Sequence, residues 1–225
     1  MLSNVEDNAK DNVPSEACVW LSVSHIKSEL LFGFTCDLIE TNLPAVASLI
    51  QAFRQGVAVE GGQLPSTMWI RPQRAAQDRN KLPHLFSAAG FLTVSEEFAE
   101  VLSGFDLGQT RLYPVELLHS NRREAFPGRY YFLNIAEVHR YFSPEHSARF
   151  ERIPNPATTY VATIEAEAQD DDVTVIPAAL NGPDLWIDDT FRSHFFCSDR
   201  LAQTLRAAKV ASHLPLFRCR VLTPS

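Results

Sequence analysis

The sequence predicts an α+β protein: a mixed, mainly antiparallel sheet, a few helices, and two related strand-helix-strand units. Three observations carry this. Short runs rich in β-branched and aromatic residues recur along the 225 residues, and helical periodicity is confined to a few places. In addition, "FLTVSEEFAEVL" (91–102) and "HFFCSDRLAQTL" (194–205) share one strand, serine, helix pattern.

The elements follow in chain order. Residues 1–15 are polar and acidic, where a signal peptide needs a basic start and an apolar stretch, so they are expected to form a disordered tail. "ACVWLSV" and "ELLFGFTC" read as strands. In "LPAVASLIQAFRQG" the apolar Val46, Leu49, Ile50 and Phe53 stand at helical spacing, with Pro44 in the first turn and Gly56 at the end, predicting a helix over 44–55. The next thirty residues lack periodicity, hold a strand at "TMWIR", and gather Arg71, Arg74, Arg79 and Lys81. At Gly90 the character changes, which suggests an N-terminal α+β portion over 16–89 and a domain over 90–225, or one continuous domain over 16–225. Strands are expected at "FLTV", "TRLYPVEL", "RYYFLNI", "TYVATIEA", "VTVIPA" and "HFFC", and near the C-terminus at "LPLFRCRVL".

Alignment of the two repeated units on their serines explains the chemistry of the second. Ser95 and Ser198 precede acidic residues and then apolar positions at helical spacing, so each is predicted to cap a helix with its side-chain oxygen. His194 and Cys197 lie three apart on a strand and face opposite sides, which argues against a shared metal or a nucleophile and base pair.

The remaining composition narrows the function. Cys18, Cys36, Cys197 and Cys219 are scattered among apolar neighbours without a CxxC pair. No HExxH, GxSxG, Walker or dinucleotide glycine pattern occurs, so no catalytic, cofactor-binding or metal-binding residue is expected. A net charge of −7 disfavours general nucleic-acid binding, and no apolar run has the length of a membrane helix, so a cytoplasmic protein is expected. The acidity is uneven. Between Arg152 and Arg192 there is no Lys or Arg, whereas Glu165, Glu167, Asp170, Asp171, Asp172, Asp184, Asp188 and Asp189 all fall there. Such a block is either a solvated loop set or a landing surface for a cationic partner.

The C-terminal two thirds resemble an immunity-protein domain family of bacterial polymorphic-toxin and type VI secretion loci. The resemblance covers about Gly90 to Leu222. It rests on "FLTVSEEFAEVL", "TRLYPVELL", "YYFLNIAEV", "DLWIDDTFRSHFFCSDRLAQTLRAAKV" and "LPLFRCRVL" in that order. Ile187 and Asp188 stand where that family often carries a basic residue. The resemblance implies a protein that binds and neutralises a cognate secreted toxin with a basic surface, without catalysis. On this reading the expected partner contacts are Asp170, Asp171, Asp172, Asp184, Trp186, Asp188 and Asp189. The alternatives are a hydrolase or transferase built around histidines such as His139, His146 and His194, or a non-catalytic adaptor.

Overall fold

The computed structural model describes residues 18–23, 27–78, 80–156, 159–165, 167–191 and 194–223. The expected tail over 1–15, and with it His25, Arg79 and Arg192, lies outside them.

The two serines cap helices as their positions predict. Ser95 ends strand β6 (Phe91–Ser95), and its oxygen accepts the Phe98 N–H at 3.4 Å at the start of the helix Glu96–Leu102. Ser198 ends the strand Phe195–Ser198 and accepts the Leu201 N–H at 3.2 Å at the start of the helix Asp199–Ala207. In chain order these helices are α3 and α4. Ahead of them lie α1 (Asp37–Thr41) and α2 (Leu43–Arg54), the latter within a residue of the predicted helix. Gly56 ends α2 with φ +70, the left-handed conformation that costs a glycine little.

The strands before β6 are β1 (Val19–Ser22), β2 (Leu31–Phe32), β3 (Phe34–Thr35), β4 (Thr67–Ile70) and β5 (Leu85–Ala88). Those after it are β7 (Arg111–Leu118), β8 (Tyr130–Asn134), β9 (Val138–His139), β10 (Phe150–Asn155), β11 (Thr159–Ile164), β12 (Thr174–Val175), β13 (Leu185–Asp188), β14 (Phe195–Ser198) and β15 (Leu216–Val221). Among the described residues, fifteen strands in mixed sheets with four helices make the α+β class of the sequence reading.

The strands build two larger sheets and one separate ribbon. The first sheet runs β2-β5-β6-β8-β7-β4-β3 and the second β9-β13-β14-β1-β15-β12. Both begin with a parallel pair, continue through three antiparallel pairings and return to a parallel pair. Where β3 lies beside β4 in the first sheet, Phe142 bridges antiparallel to Val175 of β12 in the second. The chain visits these positions in one order in both halves, with a single exception. The place that β8 takes in the first sheet is taken in the second by β1, from the other end of the chain. The repeat visible around Ser95 and Ser198 is therefore the centre of a repeat of the whole sheet.

Alternation with period two distributes the side chains. In β8, Tyr130 and Phe132 join an apolar cluster shared with α2, while Tyr131 and Leu133 face the other way. In β13 and β14, Trp186 and Phe196 join an outer cluster, while Leu185, Ile187, Phe195 and Cys197 face inward. Between the sheets, residues of both combine with Phe98, Ala99 and Leu102 of α3 and Leu201, Ala202 and Leu205 of α4 into one core.

The boundary suggested at residue 89 or 90 falls within one sheet. Ala89 and Gly90, with φ 52 and 100, are the two-residue turn of the β5-β6 hairpin, in which Ala88 pairs with Phe91. A Cβ at Gly90 would meet Ile50 of α2 at 3.0 Å. The change of character at Gly90 marks a tight turn within one sheet, and β1 belongs to the sheet of the C-terminal half. Strands β5, β9 and β10 escaped the sequence reading, and β13 was indicated only through the family resemblance.

The halves differ most in what is inserted between equivalent strands. Between β3 and β4 the chain forms α1 and α2; between Phe142 and β12 it forms the two-stranded ribbon β10-β11.

Candidate functional site

The acidic segment 165–189 acquires its cations from elsewhere in the chain. Asp171 pairs with the Arg218 guanidinium of β15, while Asp170 accepts the Arg218 backbone N–H at 2.8 Å. Asp172 accepts the Gln169 N–H at 2.8 Å, closing its own turn. Asp189 accepts from Arg140 Nε at 2.7 Å, and Glu165 lies 3.7 Å from Arg149. Residues 138–223 carry nine Lys and Arg against eleven Asp and Glu, so the block is largely compensated within its own half.

Three of the expected contact residues, Asp184, Trp186 and Asp188, are buried. Asp184 is 2% exposed: it accepts from Ser198 Oγ at 2.5 Å, Arg200 Nε at 2.6 Å and the Asp106 N–H at 2.9 Å. It therefore locks the start of α4 to the loop after α3. Asp188 is 0% exposed and accepts the N–H groups of Tyr141 and Phe142 on one oxygen and of Thr190 on the other. Trp186 is 0% exposed, stacked on Phe196 with centroids 5.6 Å apart and edge-on to Tyr141 at 5.7 Å. None of the three presents its side chain to solvent. Asp170, Asp171, Asp172 and Asp189 retain surface.

The first half repeats the Asp184 site with its acid and base exchanged. By strand register, His84 takes the place of Asp184, Ser95 of Ser198 and Glu97 of Arg200. His84 Nδ1 lies 2.8 Å from Ser95 Oγ and 3.7 Å from Glu97. One geometric solution, a hairpin residue beside the capping serine and the second residue beyond the strand, is thus built with acid and base exchanged.

Each histidine singled out for possible chemistry has a structural partner of its own. His139 stacks on Tyr141 at 4.9 Å and lies 3.3 Å from Glu137. His146 Nδ1 lies 2.9 Å from Ser143 Oγ. His194 is buried, its Nδ1 3.1 Å from the Ser22 carbonyl and its Nε2 3.3 Å from Thr163 Oγ1. Cys197 faces the inner core while His194 meets Phe191 of the outer cluster, as alternation requires. Burial pushes the Cys18 thiol up to about 11 and raises the Cys197 and Cys219 thiols as well, which disfavours the thiolate that nucleophilic or metal chemistry needs. Among the described residues no cluster of three His, Cys, Asp or Glu side chains could hold a metal ion, and no helix is long and apolar enough to cross a membrane.

What the sequence reading missed is β10, the partner that makes β11 part of a ribbon. Among the described residues β10 pairs with β11 alone, in register from Phe150↔Ile164 to Asn155↔Thr159. Glu151, Arg152, Ile153 and Pro154 are exposed, with Ile153 at 47%. The Arg152 guanidinium spans Phe150 and Tyr160 at 5.3 and 5.2 Å and stiffens the ribbon. At its base the Glu165 N–H donates to the Arg149 carbonyl at 2.9 Å, so the ribbon runs directly into the acidic turn. The sequence signal was present in "FERIPN", whose alternation was obscured by Pro154 and by charged residues on both faces.

Two carboxylates give the fold a defined acid sensitivity. Burial pushes Asp184 up, but hydrogen bonds from Arg200, Ser198 and the Asp106 N–H, with the guanidinium charge, outweigh it and hold the carboxyl below its ordinary value. Burial likewise pushes Asp78 up, and Ser120 and His119 outweigh it. A depressed folded pKa contributes stability above the unfolded value, near 3.8, that is lost as pH falls through the folded one. Urea unfolding between about pH 6 and 2.5 is expected to show falling stability, and Asp184→Asn to be about 1–3 kcal/mol less stable at neutral pH with a flatter acid limb. An acid limb equally steep in Asp184→Asn would refute this assignment.

Comparison of the chain with protein-family models and with curated proteins returns no match.

Proposed function

We propose that this protein is an immunity protein that binds and neutralises a cognate secreted toxin by direct contact, using the β10-β11 ribbon and the acidic turn beside it. The observation that carries this reading is the exposed Ile153 on a stiffened ribbon that leads directly into Glu165, Glu167 and Asp170. An apolar anchor rimmed by charge is the arrangement from which protein interfaces draw most of their affinity. The immunity-family resemblance of residues 90–222 points the same way. Exposed acids beside the anchor would speed encounter with a basic toxin surface, although the internal cations leave a weaker field than the sequence alone suggests. The proposed contacts are Ile153, Glu151, Glu167 and Asp170, with Asp171, Asp172 and Asp189 at the rim.

The test is copurification with the toxin encoded beside this chain, together with growth rescue. Ile153→Asp is expected to weaken toxin binding at least tenfold, about 1.4 kcal/mol, without changing the melting temperature. Glu167→Lys is expected to slow association and reduce its salt dependence. Failure of the folded wild-type chain to bind or rescue would remove the reading. Alanine at His139, His146 or His194 is expected to leave rescue intact in every variant that folds. Loss of rescue in a folded histidine variant that still binds the toxin would favour the enzymatic alternative.

A further inference from the structure

Helices α3 and α4 fill only part of the space between the two sheets. A cleft of about 280 Å³ remains there. Leu85, Leu92 and Leu133 wall it from the first sheet, and Ile187 and Phe195 from the second. Its lining also includes Leu31 and Arg54, which are exposed and place its mouth at β2 and the end of α2.

We propose that this cleft is a binding site for a small carboxylate amphiphile whose hydrocarbon body lies between the sheets and whose anionic head meets Arg54. The walls are mostly apolar, which suits a hydrocarbon body. The polar lining groups are few and differently engaged. Ser87 Oγ accepts the Gly90 N–H at 3.2 Å, and His194 is held by Ser22 and Thr163. Arg54 makes no ion pair among the described residues, so it is the lining cation available to an anion. Size sets the class: a dry cavity of about 150 Å³ holds benzene, so roughly twice that volume suits a body of about eight to twelve carbons. Because its walls come from both sheets, an occupant bridges the two halves and stabilises the folded chain. The inference needs only the fold and is independent of the toxin reading.

Decanoate is the probe, titrated calorimetrically into the full chain and followed by thermal melting, with 1-decanol as the neutral control. The expected result is one-to-one binding and a raised melting temperature, with 1-decanol at least about tenfold weaker. Arg54→Gln is expected to bring decanoate down to the decanol level. Leu92→Trp, which fills the cleft, is expected to abolish binding while the unliganded protein still melts cooperatively; Ser87→Phe fills the same wall if Leu92→Trp does not fold. No heat and no melting shift with decanoate at about millimolar concentration would overturn the proposal. So would binding that survives the filling substitutions, or equal affinity for decanoate and decanol.

Discussion

Replacing Trp186 by alanine is expected to cost about 3–5 kcal/mol of folding stability, the range for deleting a fully buried large aromatic. The ring lies between Phe196 and Tyr141, and its removal leaves a void against the second sheet. Among the described residues the indole N–H has no hydrogen-bond partner. Trp186→Phe therefore discards a polar atom that is costly where it stands, and is expected to lose only about 1 kcal/mol. Urea denaturation followed by far-ultraviolet circular dichroism measures both. A Trp186→Ala chain of nearly wild-type stability that no longer binds the toxin would return this residue to the contact surface, where the sequence reading placed it.

Asp188→Ala is expected to cost about 3 kcal/mol, because it strips the acceptor from three backbone N–H groups. Two of these, on Tyr141 and Phe142, belong to the segment that follows β9, so the substitution loosens that edge of the second sheet. Its pH signature is opposite to that of Asp184. Burial pushes the Asp188 carboxyl up, with the Asp189 charge adding to this, and the three N–H groups only partly offset the rise. The folded state therefore keeps this proton to higher pH than the unfolded state, and the residue's contribution weakens as pH rises from the ordinary carboxylate value through the raised one. Subtracting the pH-stability curve of Asp188→Ala from that of the wild type isolates this slope. A difference that grows with pH would show that the assigned direction is wrong.

The elements legible in the sequence are those whose signal is local. Pro44 at the start of α2, its apolar face and Gly56 at its end all lie within thirteen residues. Ser95 and Ser198 announce α3 and α4 because a cap needs only the next three residues. The strands read correctly, such as β6, β8 and β14, are dense in apolar residues because both faces of each sheet are buried. The strands missed have weaker signals: β9 has two residues, β10 is exposed and carries Pro154, and β5 follows a long aperiodic connection.

The candidate site was legible only in part. Asp184 and Asp189 look alike in a string of acids. One is enclosed by Ser198, Arg200 and the loop after α3, while the other pairs with Arg140 at the surface. The exposed anchor Ile153 gave no sign of itself, because exposure is a property of what fails to pack against a side chain.

By itself the sequence determined the fold class, the capped helices and the repeat centred on the two serines, because propensity, capping and alternation act over a few residues. Tertiary structure alone decided that β1 completes the C-terminal sheet, that Gly90 is a turn inside a sheet, and that Arg140, Arg200 and Arg218 neutralise much of the acidic block. Strand pairing and charge compensation depend on distance in space, and the chain brings Val19 beside Ser198 and Cys219 only once both sheets have formed.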